Sequence, residues 1–107
     1  MKKNIMIDGR EICFKANALT ALIYRREFQK DLFSELGKID TKSMSVNTVQ
    51  IIYELSYVMA KQGDKSLDLS FDEWLDSFEV FHVEEIGAEI LMLWQKSNTG
   101  LSSSKNR

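Results

Sequence analysis

The side chains able to do chemistry are few in this chain of 107 residues. Cys13 is its single cysteine and His82 its single histidine, so neither has a second residue of its kind with which to share a metal ion or a proton. Cys13 falls in a predicted strand, where a small buried hydrophobe is the more common role. His82 precedes a predicted helix, and we expect it to be a turn residue near the helix start.

Two acidic pairs are the remaining candidates for acid–base chemistry. Asp72 with Glu73, and Glu84 with Glu85, each fall in the first turn of a predicted helix, where the helix dipole favours carboxylates. The five glycines are scattered, so they form no phosphate-binding loop, and the metal motifs His-Glu-x-x-His and Cys-x-x-Cys do not occur. We therefore expect no enzymatic activity, no catalytic residues, no metal and no cofactor.

One basic group could bind nucleic acid. It consists of Arg25, Arg26 and Lys30, but Glu27 and Asp31 stand beside it, and the formal net charge of the chain is -2. Such a balance gives no field able to gather nucleic acid, so a solvated charged face is the favoured interpretation. If this group does bind nucleic acid, the chain would be a small regulatory protein of a mobile element, and we keep this as an alternative function.

Composition predicts one folded domain. A hydrophobic fraction of 44% and a charged fraction of 28% are typical of a globular protein, and the length suits a single domain, which we place at residues 1–96. The polar end, residues 97–107, should be disordered. Neither a signal peptide nor an apolar run long enough to cross a membrane is visible, so we expect the cytoplasm of whatever cell makes the protein and no membrane partner.

The N-terminal elements form a predicted β-hairpin. The stretch "NIMIDGREICF" is two alternating runs joined by Asp8-Gly9, a dipeptide that favours the type I′ turn. Met6, Arg10 and Cys13 are free to point elsewhere. The residues expected to share one face are Ile5, Ile7, Ile12 and Phe14. A lone hairpin is marginal in water, so this face should pack on the helices that follow.

The rest of the chain has the periodicity of helices. We predict one from Ala18 to Gly37, one from Val46 to Lys61, one that Ser70 opens with a capping box, and a last one over "VEEIGAEILMLWQK". The fold class is therefore α+β and mainly α-helical, with the N-terminal hairpin packed on about four helices.

The predicted helix from Ala18 to Gly37 carries two apolar faces about 100° apart. Either the helix bends between Arg25 and Gln29, or it is apolar around more than half of its circumference. The second face, through Tyr24, Phe28 and Leu32, is a candidate for contact with another chain.

The predicted helix from Val46 to Lys61 is apolar nearly all round, so it should be enclosed, either centrally or by another subunit. The chain also has eleven aromatic residues, which exceeds what a small core readily hides with satisfied polar tips. We expect a homo-oligomer. The candidate residues for partner binding or self-association are Tyr24, Phe28, Leu32, Tyr53, Tyr57, Trp74, Phe78 and Trp94.

The order of these features resembles a known family. A strand ending "IDGREICFKANA", the helix "LIYRREFQKDLFSEL", then "YELSYVMAK", "SFDEWLDSF" and "EILMLWQKSN" before a Ser/Lys tail look like the small tail assembly chaperones of long-tailed phages and prophages of Gram-positive bacteria. The resemblance covers about residues 5 to 107. Its most specific pieces are "I-D-G-[KR]-E…F-K-A" and "Y-R-x-x-F-x-[KR]-D".

The resemblance implies a protein without catalytic residues that binds the long tape measure protein and keeps it soluble while the tail tube assembles. Further implied partners are the tail tube protein and a frameshift-extended form of the chain itself, and such chaperones are generally absent from the mature virion. Relatives are expected to carry glycine after the phenylalanine of the second motif. This chain has Gln29 there, which argues against a sharp bend.

Overall fold

The computed structural model describes residues 1–40 and 42–98 and shows the predicted α+β fold. The elements of these residues are β1 (Lys2–Ile7), β2 (Arg10–Lys15), α1 (Thr20–Phe28), α2 (Leu32–Leu36), α3 (Val46–Gly63), α4 (Phe71–Asp76) and α5 (Val83–Asn98). Helix α5 continues two residues beyond the predicted domain end at residue 96. The remainder of the predicted disordered tail, residues 99–107, lies outside the described residues.

Strands β1 and β2 form the predicted hairpin. Asp8 and Gly9 have φ angles of 54° and 76°, as a type I′ turn requires, and Ile5 pairs with Ile12 in the antiparallel register. Ile5, Ile7 and Phe14 are buried and Ile12 is half-buried, while Met6 is 62% exposed. The alternation of apolar residues therefore identified the core-facing side correctly.

The continuous helix from Ala18 to Gly37 was a wrong prediction, and the bend was the right alternative. Helix α1 ends at Gln29, which has a left-handed backbone with φ 54° and ψ 38°, and its N–H donates to the carbonyl of Arg25. Asp31 then starts α2, because its carboxylate accepts from the N–H of Phe33. The lack of glycine at Gln29 did not prevent the break, and with it Tyr24 of α1 and Leu32 of α2 are both buried.

Helix α3 is the centre of the fold. Ser45 caps its start, and eleven of its eighteen residues are buried. The hairpin packs on it, as do α1, α4 and α5. Its nearly all-round apolar surface is therefore enclosed from within the chain, which is the central alternative of the two predicted.

The end of α3 approaches the hairpin backbone closely at Gly63. A Cβ atom at Gly63 would lie 2.0 Å from the carbonyl oxygen of Cys13, in the middle of β2. Glycine at this position therefore sets how closely the helix can pack against the strand.

The hairpin turn also holds the connection between α4 and α5. The Asp8 carboxylate accepts from the N–H of Glu79 at 2.9 Å. The Arg10 guanidinium donates to Ser77 and lies 4.1 Å from the ring centroid of Phe78. At the other end of α4, Ser70 forms the predicted capping box. Asp8, Gly9 and Arg10 of the "I-D-G-[KR]-E" motif thus have structural roles in this chain.

Candidate functional site

Most of the residues predicted to bind a partner lie in one internal group of rings, which we call the aromatic cluster. Successive rings in it have centroids 5.0 to 6.4 Å apart. Its members are Tyr24, Phe28, Tyr53, Tyr57, Phe71, Trp74, Phe78 and Phe81. The cluster joins α1 and α4 to one side of α3, so it belongs to the core.

The exposure of the eight predicted residues follows from this packing. Tyr24, Leu32, Tyr57, Trp74 and Trp94 are buried, and Phe28, Tyr53 and Phe78 are half-buried. The structure therefore covers the second apolar face of the first helical segment from within. That any of the eight contacts a partner stays a prediction.

The polar tips of two buried tyrosines are satisfied inside the chain. The hydroxyl of Tyr24 donates to Glu54 at 2.6 Å, and that of Tyr57 donates to the carbonyl oxygen of Leu69 at 2.6 Å. These bonds remove the cost of burying a phenol group, so neither ring needs a groove or a subunit contact to reach a partner for its hydroxyl.

Glu54 is the most enclosed charged residue of the site, with 2% of its surface exposed. Lys30 donates to its Oε2 at 2.8 Å, and Gln50 donates to the same oxygen at 3.1 Å. Burial, followed by the hydrogen bond to Glu54, raises the pKa of Tyr24. Because Lys30 is held by Glu54, the predicted basic group offers Arg25 and Arg26 as its exposed cations.

An apolar groove, which we call the α5 groove, lies between α5, the start of α3 and the segment before α3. It has a volume of about 350 Å³. Its lining residues are Ile39, Lys42, Met44, Thr48, Ile52, Glu84, Gly87, Ala88 and Leu91. The groove thus has an aliphatic floor with one cation and one carboxylate on its rim.

The elements that form the α5 groove also carry exposed apolar side chains. Met44, within it, is 38% exposed, while Val46 at the start of α3 is 80% exposed and Met92 on α5 is 54% exposed. A Cβ atom at Gly87 would lie 2.8 Å from Cδ1 of Ile52, so glycine lets α5 lie close to α3 at the floor. An apolar groove that contains an exposed methionine is a candidate site for binding another molecule.

The α5 groove was missed in the sequence because its residues come from three segments. Met44 stands in a polar linker, and the most regular apolar stripe of α5 runs through Ile86 and Ile90, which the structure buries. Leu91 and Met92, two apolar residues outside that stripe, were the available signal.

The residues first considered for chemistry have simple environments. Cys13 lies half-buried in β2 against Gly63, and the carbonyl of exposed His82 accepts from Ile86 in the first turn of α5, as expected for a helix start. Among residues 1–40 and 42–98, no group of three or more His, Cys, Asp or Glu side chains is placed to hold a metal ion. In the same ranges, no helix combines the length and apolar character that a membrane span needs.

Comparison of the chain with models of protein families, with curated proteins and with solved structures finds no match.

Proposed function

We propose that this chain is a phage tail assembly chaperone, a non-catalytic protein that binds the tape measure protein and keeps it soluble in the host cytoplasm. The observation that supports this most is the α5 groove, with Met44 exposed in it. We propose the tape measure protein as the partner because the sequence motifs resemble those of that family.

The chemistry of the α5 groove suits an apolar segment of a long, aggregation-prone chain. Its volume lies within the range of about 300–1,000 Å³ typical of binding pockets. Met44 lines it and exposed Met92 lies one helical turn after the lining residue Ala88, and methionine side chains adapt to apolar partners of different shape. A chaperone that must hold many sequences in turn needs this adaptability more than it needs a rigid fit.

Lys42 and Glu84 give the α5 groove a rim of both signs. Charged side chains around an apolar site keep the free protein soluble and limit nonspecific association. The tail tube protein, a frameshift-extended form of the chain and further copies of the chain itself are proposed as additional partners, without an assigned surface. Absence from the mature virion belongs to the same proposal.

The proposal is tested by expressing the tape measure protein encoded beside this chain, with and without the chain. We expect the long protein to move into the soluble fraction when the chain is present and to elute with it as a complex. Equal insolubility in both cultures, with no complex on gel filtration, would contradict the proposed function.

A further inference from the structure

We propose that a second groove, distinct from the α5 groove, binds an amphipathic helix in which acidic residues flank aliphatic ones. It lies where the start of α1 meets the end of α3 and the end of β2, and its volume is about 220 Å³. We call it the lysine groove. Its lining residues are Lys15, Asn17, Leu19, Ile23, Lys61, Gln62 and Lys65.

An apolar ridge that faces outward begins at Leu19 and continues along α1, and two of its residues, Leu19 and Ile23, line the lysine groove. Leu19 is 42% exposed and Leu22 is 54% exposed, and Ile23 is half-buried beside them. Residues at spacings of three and four share one helix face, which also includes the exposed Arg26. A ridge of this spacing is what the apolar side of a second helix packs against.

The polar groups on the floor of the groove already have partners. Gln62 donates to the Oδ1 atom of Asn17 at 3.0 Å and accepts from the hydroxyl of Thr20 at 2.6 Å. A ligand therefore has no buried amide or hydroxyl here that it must satisfy. We therefore expect aliphatic contact and charge to determine which ligand binds.

The charge of the groove is positive. Lys15, Lys61 and Lys65 line it, and no carboxylate does within the described residues. Lys61 is held by Glu27 at 3.2 Å, whereas neither Lys15 nor Lys65 has an ion-pair partner in the ranges 1–40 and 42–98. Lys2 stands directly opposite Lys15 in the hairpin, and like charges opposite one another are unfavourable. A bound carboxylate relieves this repulsion.

The charge of the remaining chain restricts where an acidic segment can bind. Residues 66–95, which include α4 and nearly all of α5, contain eight acidic residues and no lysine or arginine. An acidic helix is repelled from that surface and attracted to the lysine groove, so electrostatics gives the site its specificity. The acidic surface would instead attract basic segments.

The size and lining of the groove favour a few side chains of a protein segment. Its volume of about 220 Å³ is below the range of about 300–1,000 Å³ typical of small-molecule pockets. Its apolar lining residues are aliphatic, whereas single-stranded nucleic acid is commonly bound by stacking on aromatic rings. The occupant that matches is therefore an acidic amphipathic helix.

The test uses two fluorescent helical peptides and the full chain. Both peptides carry the same leucines at helical spacing, and one has glutamates where the other has lysines. In anisotropy titrations at low salt, we expect the acidic peptide to bind at least about tenfold more tightly than the basic peptide, and to weaken as salt is added. Equal affinity for the two peptides, or no binding of the acidic peptide, would overturn the proposal.

Variants assign the binding to the groove. We expect K15E with K65E to abolish binding of the acidic peptide, and L22D to weaken it at least about tenfold. The control is K38E with K96E, which makes the same charge change at residues that line neither groove and should retain binding apart from a small salt-dependent loss. An equal loss in the control would show that net charge alone drives the binding, and would overturn the proposal.

Circular dichroism of each variant establishes that it is folded. If K15E with K65E unfolds, the neutral pair K15Q with K65Q takes its place, with an expected loss of at least about tenfold. A DNA oligonucleotide that binds as tightly as the acidic peptide, and is lost in the same variants, would identify the groove as a nucleic-acid site instead. Because the tape measure protein is absent from these titrations, they succeed or fail independently of the proposed function.

Discussion

Gly63 ties the last turn of α3 to the backbone of β2. A methyl group at this residue meets the Cys13 carbonyl, which belongs to a paired strand and cannot move aside as a flexible side chain would. Gly37, at the end of α2, also has a negative φ angle, but a Cβ atom there is 3.4 Å from its nearest neighbour. Gly37 is therefore a suitable control position for a substitution at Gly63.

We expect G63A to lower the free energy of unfolding by about 3 kcal/mol, because overpacking forces the hairpin away from α3. The change G37A should alter it by less than about 0.5 kcal/mol. Urea denaturation of the two variants measures both values. Equal stabilities would show that α3 and β2 do not approach as closely as the structure describes.

Tyr24 links stability to alkaline pH. Its pKa in the folded chain is raised above the ordinary value of 10.0, first by burial and then by Glu54. Above pH 10 the unfolded chain therefore loses a proton that the folded chain retains, so stability falls as the pH rises, by at most about 1.4 kcal/mol per pH unit from this group.

We expect Y24F to make the pH dependence shallower above pH 10, although it lowers stability near neutral pH because Glu54 loses a donor. The measurement is urea denaturation between pH 8 and pH 11. The control is Y53F, since Tyr53 is a half-buried tyrosine of the same aromatic cluster. An unchanged slope in Y24F would contradict the assigned role.

The burial of Glu54 could not be predicted from the sequence. With Asn47, Gln50 and Lys61 it formed the polar stripe of an otherwise apolar helix, and such stripes usually face water. It is buried because Tyr24 and Lys30 reach it from residues far away in the chain. Periodicity carries no information about partners of that kind.

Among the elements, the break between α1 and α2 depends on Gln29. A left-handed backbone is unfavourable for a residue with a Cβ atom and costs glycine little. We expect Q29G to raise the free energy of unfolding by about 0.5–1 kcal/mol, after the larger chain entropy of glycine in the unfolded state is subtracted.

The control for Q29G is Q29A, which keeps the Cβ atom and removes the hydrogen bond from the Gln29 side chain to the carbonyl of Arg26. It should be no more stable than the parent chain. Chemical denaturation of the three proteins decides the question. A stabilised Q29A with an unchanged Q29G would show that the side chain, not the backbone, limits stability here.

Elements with local determinants were predicted well. The Asp8-Gly9 turn and the capping box at Ser70 both depend on residues adjacent in sequence, and both are present. The displaced apolar faces correctly suggested a bend in the first helical segment. The absence of the expected glycine argued against this bend. That argument considered the cost of a left-handed backbone at Gln29 and left out the contacts that the chain makes on either side of it.

At the scale of the whole molecule, α3 serves as a common support. Helix α1 contacts it through Glu54 and Lys61, whereas α5 contacts it through Ile52, so the lysine groove and the α5 groove lie on different sides. The central position of α3 accounts for its apolar surface without a second subunit. Self-association therefore stays a prediction that needs another surface.

The fold class was accessible from sequence because periodicity and turn chemistry specify each element. The two grooves could not be predicted, because each is formed by segments that meet only in the folded chain. Met44 meets Leu91 in the α5 groove, and Lys15 meets Lys65 in the lysine groove. The sequence indicated more apolar residues than a small core needs. We expected the aromatic ones to contact a partner, whereas the structure packs them in the core.

The proposed function requires that the α5 groove holds the tape measure protein in solution. The most direct measurement is the amount of soluble tape measure protein that elutes with the chain when the chain carries M44D in the groove or M6D on the exposed side of the hairpin. We predict that M44D lowers this amount at least about tenfold, since a charge in an apolar site is costly, and that M6D matches the parent chain. Equal amounts for M44D and the parent chain, with both folded, would contradict the claim.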